Sequence, residues 1–145
     1  AKSLGGALPI GATVAAPAYA DVLGPGTHGT TFGGGPVPCA AGIAVMETLT
    51  APGFLQQAAA RGGYMKSRLG ELESAALVSG VRGLGLMLAC DLSGPGAGQV
   101  VSRALEQKII INNTSPSTLR FLPPLLVEER MIDEVVEFLK TVLTN

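Results

Sequence analysis

The stretch KIIINNTSPSTLRFL, residues 108–122, decides which fold this sequence can adopt. Its apolar run Ile109–Ile111 predicts a buried strand, and Thr118 to Leu122 predicts a second strand that pairs with it. Alternation along the second strand puts Leu119 and Phe121 on one face and Arg120 on the other. The stretch therefore predicts a sheet with one face turned towards an apolar core and an arginine directed away from that core.

Helical patterns lie on both sides of this stretch. Helices are predicted from Phe54 to about Ser74, from about Gln99 to Gln107, and over the segment that opens with Glu128 and Glu129. Gly62-Gly63 weakens the middle of the first of these helices, so we expect a kink or close packing there. Helices that alternate with strands in this way indicate an α/β fold.

A strand-like pattern also runs from Val78 to Leu92. Leu84, Leu86 and Leu88 occupy one face of this pattern, while Gly83 and Gly85 lie on the opposite face. Glycines within a strand weaken it and permit close backbone approach, so the pattern indicates a sheet edge or a tight crossing.

The N-terminal third has a different organisation. A short strand is predicted at Pro9–Ala15 and a brief helix from Ala18 to Leu23, followed by a glycine-rich loop over residues 24–35. An apolar helix is predicted from Cys39 to Leu49, with Pro36 and Pro38 in its first turn, and we expect it to be buried. We interpret residues 1–53 as the end of a larger domain and 54–145 as a small α/β domain.

Composition excludes several classes of function. The apolar share is 47% and the net charge is −1, so the chain has neither a disordered composition nor a field that attracts nucleic acid or a membrane surface. No apolar run is long enough to span a bilayer, and no secretory signal pattern is present; a cytoplasmic protein is the expectation. The single histidine excludes a multi-histidine zinc site, and Cys39 and Cys90 are expected to be buried free thiols.

Three segments have residues suited to chemistry on a small molecule. They are Ala1-Lys2-Ser3-Leu4-Gly5-Gly6, His28-Gly29-Thr30-Thr31-Phe32-Gly33-Gly34, and Thr118-Leu119-Arg120-Phe121-Leu122-Pro123-Pro124-Leu125. A lysine amine is a nucleophile towards an aldehyde, and hydroxyl and amide groups of a glycine-rich loop suit a phosphate. An arginine fork suits a carboxylate. Taken alone, the first segment is typical of a frayed terminus, the second of a flexible connector and the third of a surface arginine.

Together these segments resemble the class III aminotransferases of the fold-type-I pyridoxal-phosphate family, of the acetylornithine/ornithine type. The resemblance covers the whole chain, which would form roughly the C-terminal third of a full-length member. It implies that Lys2 is the catalytic lysine that binds the cofactor covalently, that Thr31 binds the cofactor phosphate across a homodimer interface, and that Arg120 binds the substrate α-carboxylate. Gly35 departs from the family, which commonly has asparagine there.

The resemblance implies a transaminase that moves an amino group from N-acetylornithine, or a similar ω-amino donor, to 2-oxoglutarate in arginine biosynthesis. Because the family's ring-stacking and nitrogen-pairing residues would lie before Ala1, we expect the isolated chain to be inactive. Two alternatives stay open. One is an aminomutase of the glutamate-semialdehyde type, which shares the lysine loop, and the other is a non-catalytic structural or assembly domain.

Overall fold

A computed structural model describes residues 2–94 and 96–144. Ala1, the first residue of the lysine motif, Pro95 and Asn145 lie outside the described residues. The chain divides into two compact units, Ala1–Phe54 and Leu55–Asn145. These are called unit 1 and unit 2.

Unit 1 is built from turns, a 3₁₀ helix at Pro17–Val22 and one α-helix, α1, at Pro36–Thr50. Two predictions from the sequence are confirmed here. The brief helix forms one residue earlier than expected, and α1 begins at Pro36, because proline at the first helical position already has a helical φ and needs no N–H partner. The helix ends at a turn through Gly53, whose φ is +83°.

Two other expectations for unit 1 are wrong. Pro9–Ala15 forms no strand, since residues 9–16 make no ladder with any described segment and a strand exists only with a hydrogen-bonded neighbour. Nor is α1 buried: Gly42 is its one buried residue, while Val37, Ile43 and Met46 are about half exposed or more. The helix carries apolar side chains on all of its faces, and the described residues cover few of them.

Unit 2 contains a four-stranded antiparallel sheet with three helices. The strands are β1 at Gly80–Leu84, β2 at Met87–Asp91, β3 at Asn112–Ser115 and β4 at Thr118–Phe121, in the order β1-β2-β4-β3. The helices are α2 at Phe54–Ser74, whose first residue belongs to unit 1, α3 at Ala97–Glu106 and α4 at Glu129–Thr144. All three helices are confirmed to within two residues.

The core of unit 2 lies between the apolar stripes of the helices and one face of the sheet. Its fully buried side chains include Leu69 and Leu72 of α2, Leu88 and Leu119 of the sheet, and Leu139 of α4. Burying a side chain of this size stabilises the fold by about 1.5–3 kcal/mol. The sheet is therefore held from one side, and its other face is free to carry polar residues.

The segment from Val78 to Leu92 is a hairpin rather than one continuous strand pattern. Leu84 pairs with Met87 across the two-residue connection Gly85-Leu86, and Gly85 has a φ of +56°, which suits glycine. This turn takes Leu84 off the face it was expected to share with Leu86 and Leu88, and its side chain is 90% exposed. The prediction of a sheet edge is confirmed, because β1 is an edge strand.

Close packing at Gly62-Gly63 is also confirmed. A side-chain carbon added at Gly62 would lie 2.6 Å from the carbonyl carbon and oxygen of Gly85, so α2 touches the hairpin turn directly. Only glycine permits this approach.

The predicted strand at Ile109–Ile111 is wrong in position. The strand that pairs with β4 begins at Asn112, and Ile110 is 89% exposed. The second predicted strand, Thr118 to Leu122, is confirmed as β4. Among the described helices, none is by itself long and apolar enough to cross a membrane, although α1 and α2 taken together as a bent pair reach that length and composition.

Candidate active site

Lys2 begins a run of tight turns at the start of unit 1. The N–H of Gly6 donates to the carbonyl of Ser3 at 3.1 Å, and that of Leu8 donates to the carbonyl of Gly5 at 2.9 Å. Gly5 is buried, and a side-chain carbon there would collide with the carbonyl oxygen of Leu8. The glycines thus let the chain fold back on itself, while the Lys2 side chain stays exposed.

The glycine-rich loop over residues 24–35 is shaped by its own hydroxyl groups. The Thr27 hydroxyl donates to the carbonyl of Gly24 at 2.6 Å, and the Thr30 hydroxyl accepts from the N–H of Gly33 at 3.2 Å. Gly34 follows with a φ of +74°, which favours glycine. Thr31 is exposed, and its hydroxyl has no hydrogen-bond partner in residues 2–94 and 96–144. Within the described residues Thr31 is thus the threonine of this loop whose hydroxyl makes no hydrogen bond, while the Thr30 hydroxyl accepts one and can still donate its O–H.

Lys2 and this loop line one cavity of about 630 Å³ within unit 1. Its wall consists of Lys2, residues 8–11, Thr30, residues 32–34 and Pro38. Thr31 lies in the loop but does not line the cavity. The structure thus brings the predicted lysine to the same cavity as the loop, with the Thr31 hydroxyl outside it.

A site for pyridoxal phosphate requires an amine for the cofactor's aldehyde and hydrogen-bond donors for its phosphate. The Lys2 amine supplies the first requirement, and hydroxyl and backbone N–H groups of the loop supply the second. No acidic residue is among the described residues that line it, so none there pairs with the ring nitrogen. These residues fit the aldehyde and phosphate ends of the cofactor.

Arg120 lies in unit 2, at the middle of the exposed face of β4. Leu119 and Phe121 on either side of it are buried, as alternation predicted, and Arg120 itself is exposed. Its Nε–H donates to the Oδ1 of Asn112 at 3.1 Å. No carboxylate of the described chain forms an ion pair with Arg120, so its charge is not neutralised.

Arg82 on β1 provides a contrast within the same sheet. Its Nε and Nη2 donate to the two carboxylate oxygens of Asp91, each at 2.9 Å. The hydrogen bond from Arg82, and then that from the Thr118 hydroxyl, hold the pKa of the Asp91 carboxyl below its usual value. Arg82 thus forms an ion pair with a carboxylate of its own chain, whereas Arg120 forms none with the described residues.

A second cavity, of about 610 Å³, adjoins Arg120 in unit 2. It is mainly apolar, and its charged or amide side chains are Arg120, Asn112, Lys108 and Glu134. A largely apolar cavity with a few convergent polar groups is typical of a small-molecule site. Unit 1 and unit 2 therefore each contain a cavity lined by a predicted site residue, Lys2 in unit 1 and Arg120 in unit 2.

Sequence reasoning identified Arg120 but missed Asn112. The signal would have been the strand register, which places Asn112 directly opposite Arg120. No group of three or more potential metal ligands occurs among the described residues. Cys90 is buried as expected, and burial raises the pKa of its thiol to about 12, whereas Cys39 is only partly buried.

Comparisons with known proteins agree with the resemblance to class III aminotransferases over almost the whole sequence. The sequence model of the aminotransferase class-III family matches residues 1–143. An acetylornithine aminotransferase of Caldanaerobacter subterraneus subsp. tengcongensis is 45% identical over 100% of this chain, which covers 37% of that protein. One of Gloeobacter violaceus is 42% identical, again over 100% of this chain, which covers 36% of that protein. The chain thus spans little more than a third of the length of these relatives.

Solved structures of transaminases are also similar to this chain. A crystal structure of an acetylornithine aminotransferase from Elizabethkingia anophelis superposes with a TM-score of 0.75 at 26% identity, over 86% of this chain and 34% of that one. A lysine aminotransferase from M. tuberculosis gives a TM-score of 0.66 at 29% identity, over 74% of this chain and 25% of that one. This fold is one used by pyridoxal-phosphate-dependent transaminases. The chain belongs to the class-III aminotransferase family, whose members depend on pyridoxal phosphate.

Proposed function

We propose that this chain is part of a pyridoxal-phosphate-dependent aminotransferase that moves an amino group from N-acetylornithine, or a similar ω-amino donor, to 2-oxoglutarate. The relatives of 42% to 45% identity are acetylornithine aminotransferases, which favours that donor and a role in arginine biosynthesis. We further propose that the full-length protein is a cytoplasmic homodimer, with Thr31 reaching the cofactor phosphate of the partner subunit.

The observation that carries the proposal is the cavity of about 630 Å³ that Lys2 shares with the glycine-rich loop. The Lys2 amine offers this cavity the group that a phosphorylated aldehyde requires, and Thr31, in the same loop but outside the cavity, has a hydroxyl, free within the described residues, for the phosphate of the partner subunit's cofactor. Any side chain at position 5 would collide with the carbonyl of Leu8, so Lys2 is followed by a defined turn rather than by a frayed terminus.

Each residue then has a separate task. When bound, pyridoxal phosphate supplies an electron sink for the substrate's α-carbon. The Lys2 amine holds the cofactor aldehyde and, once released from it, moves the α-proton as general base and then general acid. Thr31 donates its hydroxyl and backbone N–H to the phosphate, and Arg120 binds the substrate α-carboxylate through paired N–H groups. Arg120 suits this task because no carboxylate of the described residues occupies it.

The test is an assay of the full-length enzyme with N-acetylornithine and 2-oxoglutarate, in which glutamate formation is measured. We expect Lys2→Ala to reduce kcat on the order of 10³-fold or more, since it removes the group that holds the aldehyde and moves the proton. Lys66→Ala is the matched control, because Lys66 is an exposed lysine of α2. Full activity of Lys2→Ala would refute the proposal.

Two further results separate the alternatives. Isomerisation of glutamate semialdehyde without any oxo-acid acceptor would identify an aminomutase instead. Failure of the full-length protein to retain pyridoxal phosphate would favour a structural or assembly domain. For the isolated 145-residue chain we expect no turnover, since the acidic partner for the ring nitrogen is missing from the described cavity lining.

A further inference from the structure

Among the described residues, Arg120 has one polar side chain directly opposite it in the sheet. In the strand register Arg120 faces Asn112 of β3 on one side and Ala89 of β2 on the other. Residues directly opposite each other on neighbouring strands lie on the same face, with their Cβ atoms about 4.5–5.5 Å apart. Ala89 offers only a methyl group, so Asn112 is the cross-strand neighbour that can orient the guanidinium.

The contact between these two residues uses one edge of the guanidinium. The Nε–H donates to the Oδ1 of Asn112 at 3.1 Å, and the described residues supply no hydrogen-bond partner for either Nη. A guanidinium can present two parallel N–H groups to a carboxylate. With Nε engaged by Asn112, both Nη groups remain available at the cavity of about 610 Å³ that both residues line.

The chemistry of the acceptor matters as much as its position. An amide oxygen is neutral, so it fixes the orientation of Arg120 and leaves the positive charge for a ligand. A carboxylate in its place would form an ion pair, as Asp91 does with Arg82 in the same sheet. The other charged groups that line the cavity are Lys108 and Glu134, and neither is bonded to Arg120.

We propose that Asn112 is a positioning residue, whose amide oxygen orients the Arg120 guanidinium towards a substrate carboxylate without neutralising its charge. This inference rests on the proposed function of Arg120 and adds a second residue to that site. It concerns substrate binding in both half-reactions, because amino donor and oxo acceptor each carry an α-carboxylate.

The experiment measures kcat and KM for N-acetylornithine and for 2-oxoglutarate in the full-length enzyme and its variants. We expect Asn112→Ala to raise both KM values roughly three- to tenfold and to change kcat by less than about twofold. The reason is that the lost contact would stabilise the bound substrate and the transition state equally. Asn112→Asp should raise both KM values more, by roughly tenfold or greater, because the new carboxylate competes for Arg120. The melting temperatures of both variants should stay within a few degrees of the parent's.

Asn113→Ala is the matched control, since Asn113 is the adjacent asparagine of β3, lies opposite Leu119 and donates to the carbonyl of Ser115 rather than contacting Arg120. Its KM values should equal those of the parent. If Asn112→Asp bound both substrates as well as the parent does, a neutral acceptor would not be needed and the proposal would be wrong.

Arg120→Lys separates this inference from the function on which it rests. If Arg120→Lys lowered kcat/KM for both substrates while Asn112→Ala left both KM values unchanged, only the positioning role of Asn112 would be overturned. Unchanged kinetics in both variants would overturn the carboxylate role of Arg120 as well.

Discussion

The two units of this chain differ in how much of their apolar surface they bury. Among residues 2–54 of unit 1, only Gly5 and Gly42 are buried, while Val14, Phe32 and Ile43 are largely exposed. Unit 2 encloses a continuous core that connects α2, the sheet, α3 and α4. The fold of unit 2 therefore follows from its own packing, whereas unit 1 consists of α1 and glycine-rich turns and loops that bury little apolar surface.

The largest effect should come from breaking the core of unit 2. Leu119 is fully buried, so Leu119→Ala should lower the free energy of unfolding by about 2–5 kcal/mol through lost burial and a residual cavity. Ile43→Ala in α1 should cost less than about 1 kcal/mol, because 59% of Ile43 is exposed. Urea unfolding of the 145-residue chain measures both. Equal destabilisation would contradict the contrast between the units.

Within unit 2, the two arginines of the sheet provide the next test. Arg120→Lys in the full-length enzyme should lower kcat/KM on the order of a hundredfold for amino donor and oxo acceptor alike, since a lysine cannot make paired bonds. The melting temperature should change little, because Leu119 and Phe121, not Arg120, are in the core. Arg82→Lys, at the arginine already bound to Asp91, is the control and should leave kinetics intact.

The reverse pattern would require a different interpretation. If Arg120→Lys preserved kinetics but lowered the melting temperature markedly, Arg120 would be a structural residue.

Unit 1 has its own test in the loop. Thr31→Ala should weaken retention of pyridoxal phosphate roughly ten- to hundredfold, the effect of one charge-assisted hydrogen bond, with little change in stability. Equilibrium dialysis of the full-length enzyme against the cofactor measures this. The control is Thr27→Ala, because the Thr27 hydroxyl already donates to the carbonyl of Gly24. Unchanged retention in Thr31→Ala would remove Thr31 from the phosphate site.

The smallest effect concerns the charged network that joins α2 to α4. Arg68 of α2 pairs with Glu71, Asp133 and Glu137, and Lys140 pairs with Glu71 and Glu137. Hydrogen bonds from Tyr64 and then Arg68 lower the pKa of the Asp133 carboxyl, and those from Arg68 and then Lys140 lower that of Glu71.

Carboxyl groups with lowered pKa values stabilise the fold above their unfolded pKa, and this contribution disappears as pH falls through their folded pKa. The urea midpoint of the parent chain should therefore exceed that of Arg68→Met at neutral pH, and the difference should shrink below about pH 4. A difference independent of pH would mean that Arg68 acts through packing alone.

How far the sequence predicts this molecule depends on whether a feature is local. The start of α1 was predictable because Pro36 is itself the signal, and the orientation of Arg120 followed from strand alternation alone. The burial of α1 was not, because covering an apolar helix depends on what packs against it.

Strand register explains the error at Ile109–Ile111. Ile109–Ile111 is the more apolar run, yet β3 begins at Asn112 because pairing with β4 starts there. A shift of a few residues along a strand cannot be predicted from hydrophobicity when both faces are partly exposed. The same register creates the contact of Asn112 with Arg120, so sequence reasoning found the arginine without its partner.

Lys2 is the residue that we propose holds pyridoxal phosphate. The most direct measurement is borohydride reduction of the full-length protein after incubation with the cofactor, followed by proteolysis and mass mapping of the modified lysine. We expect a stoichiometric phosphopyridoxyl group on Lys2 and its loss in Lys2→Ala. A label distributed among exposed lysines such as Lys66 and Lys108, or placed on another single lysine with Lys2 unmodified, would contradict it.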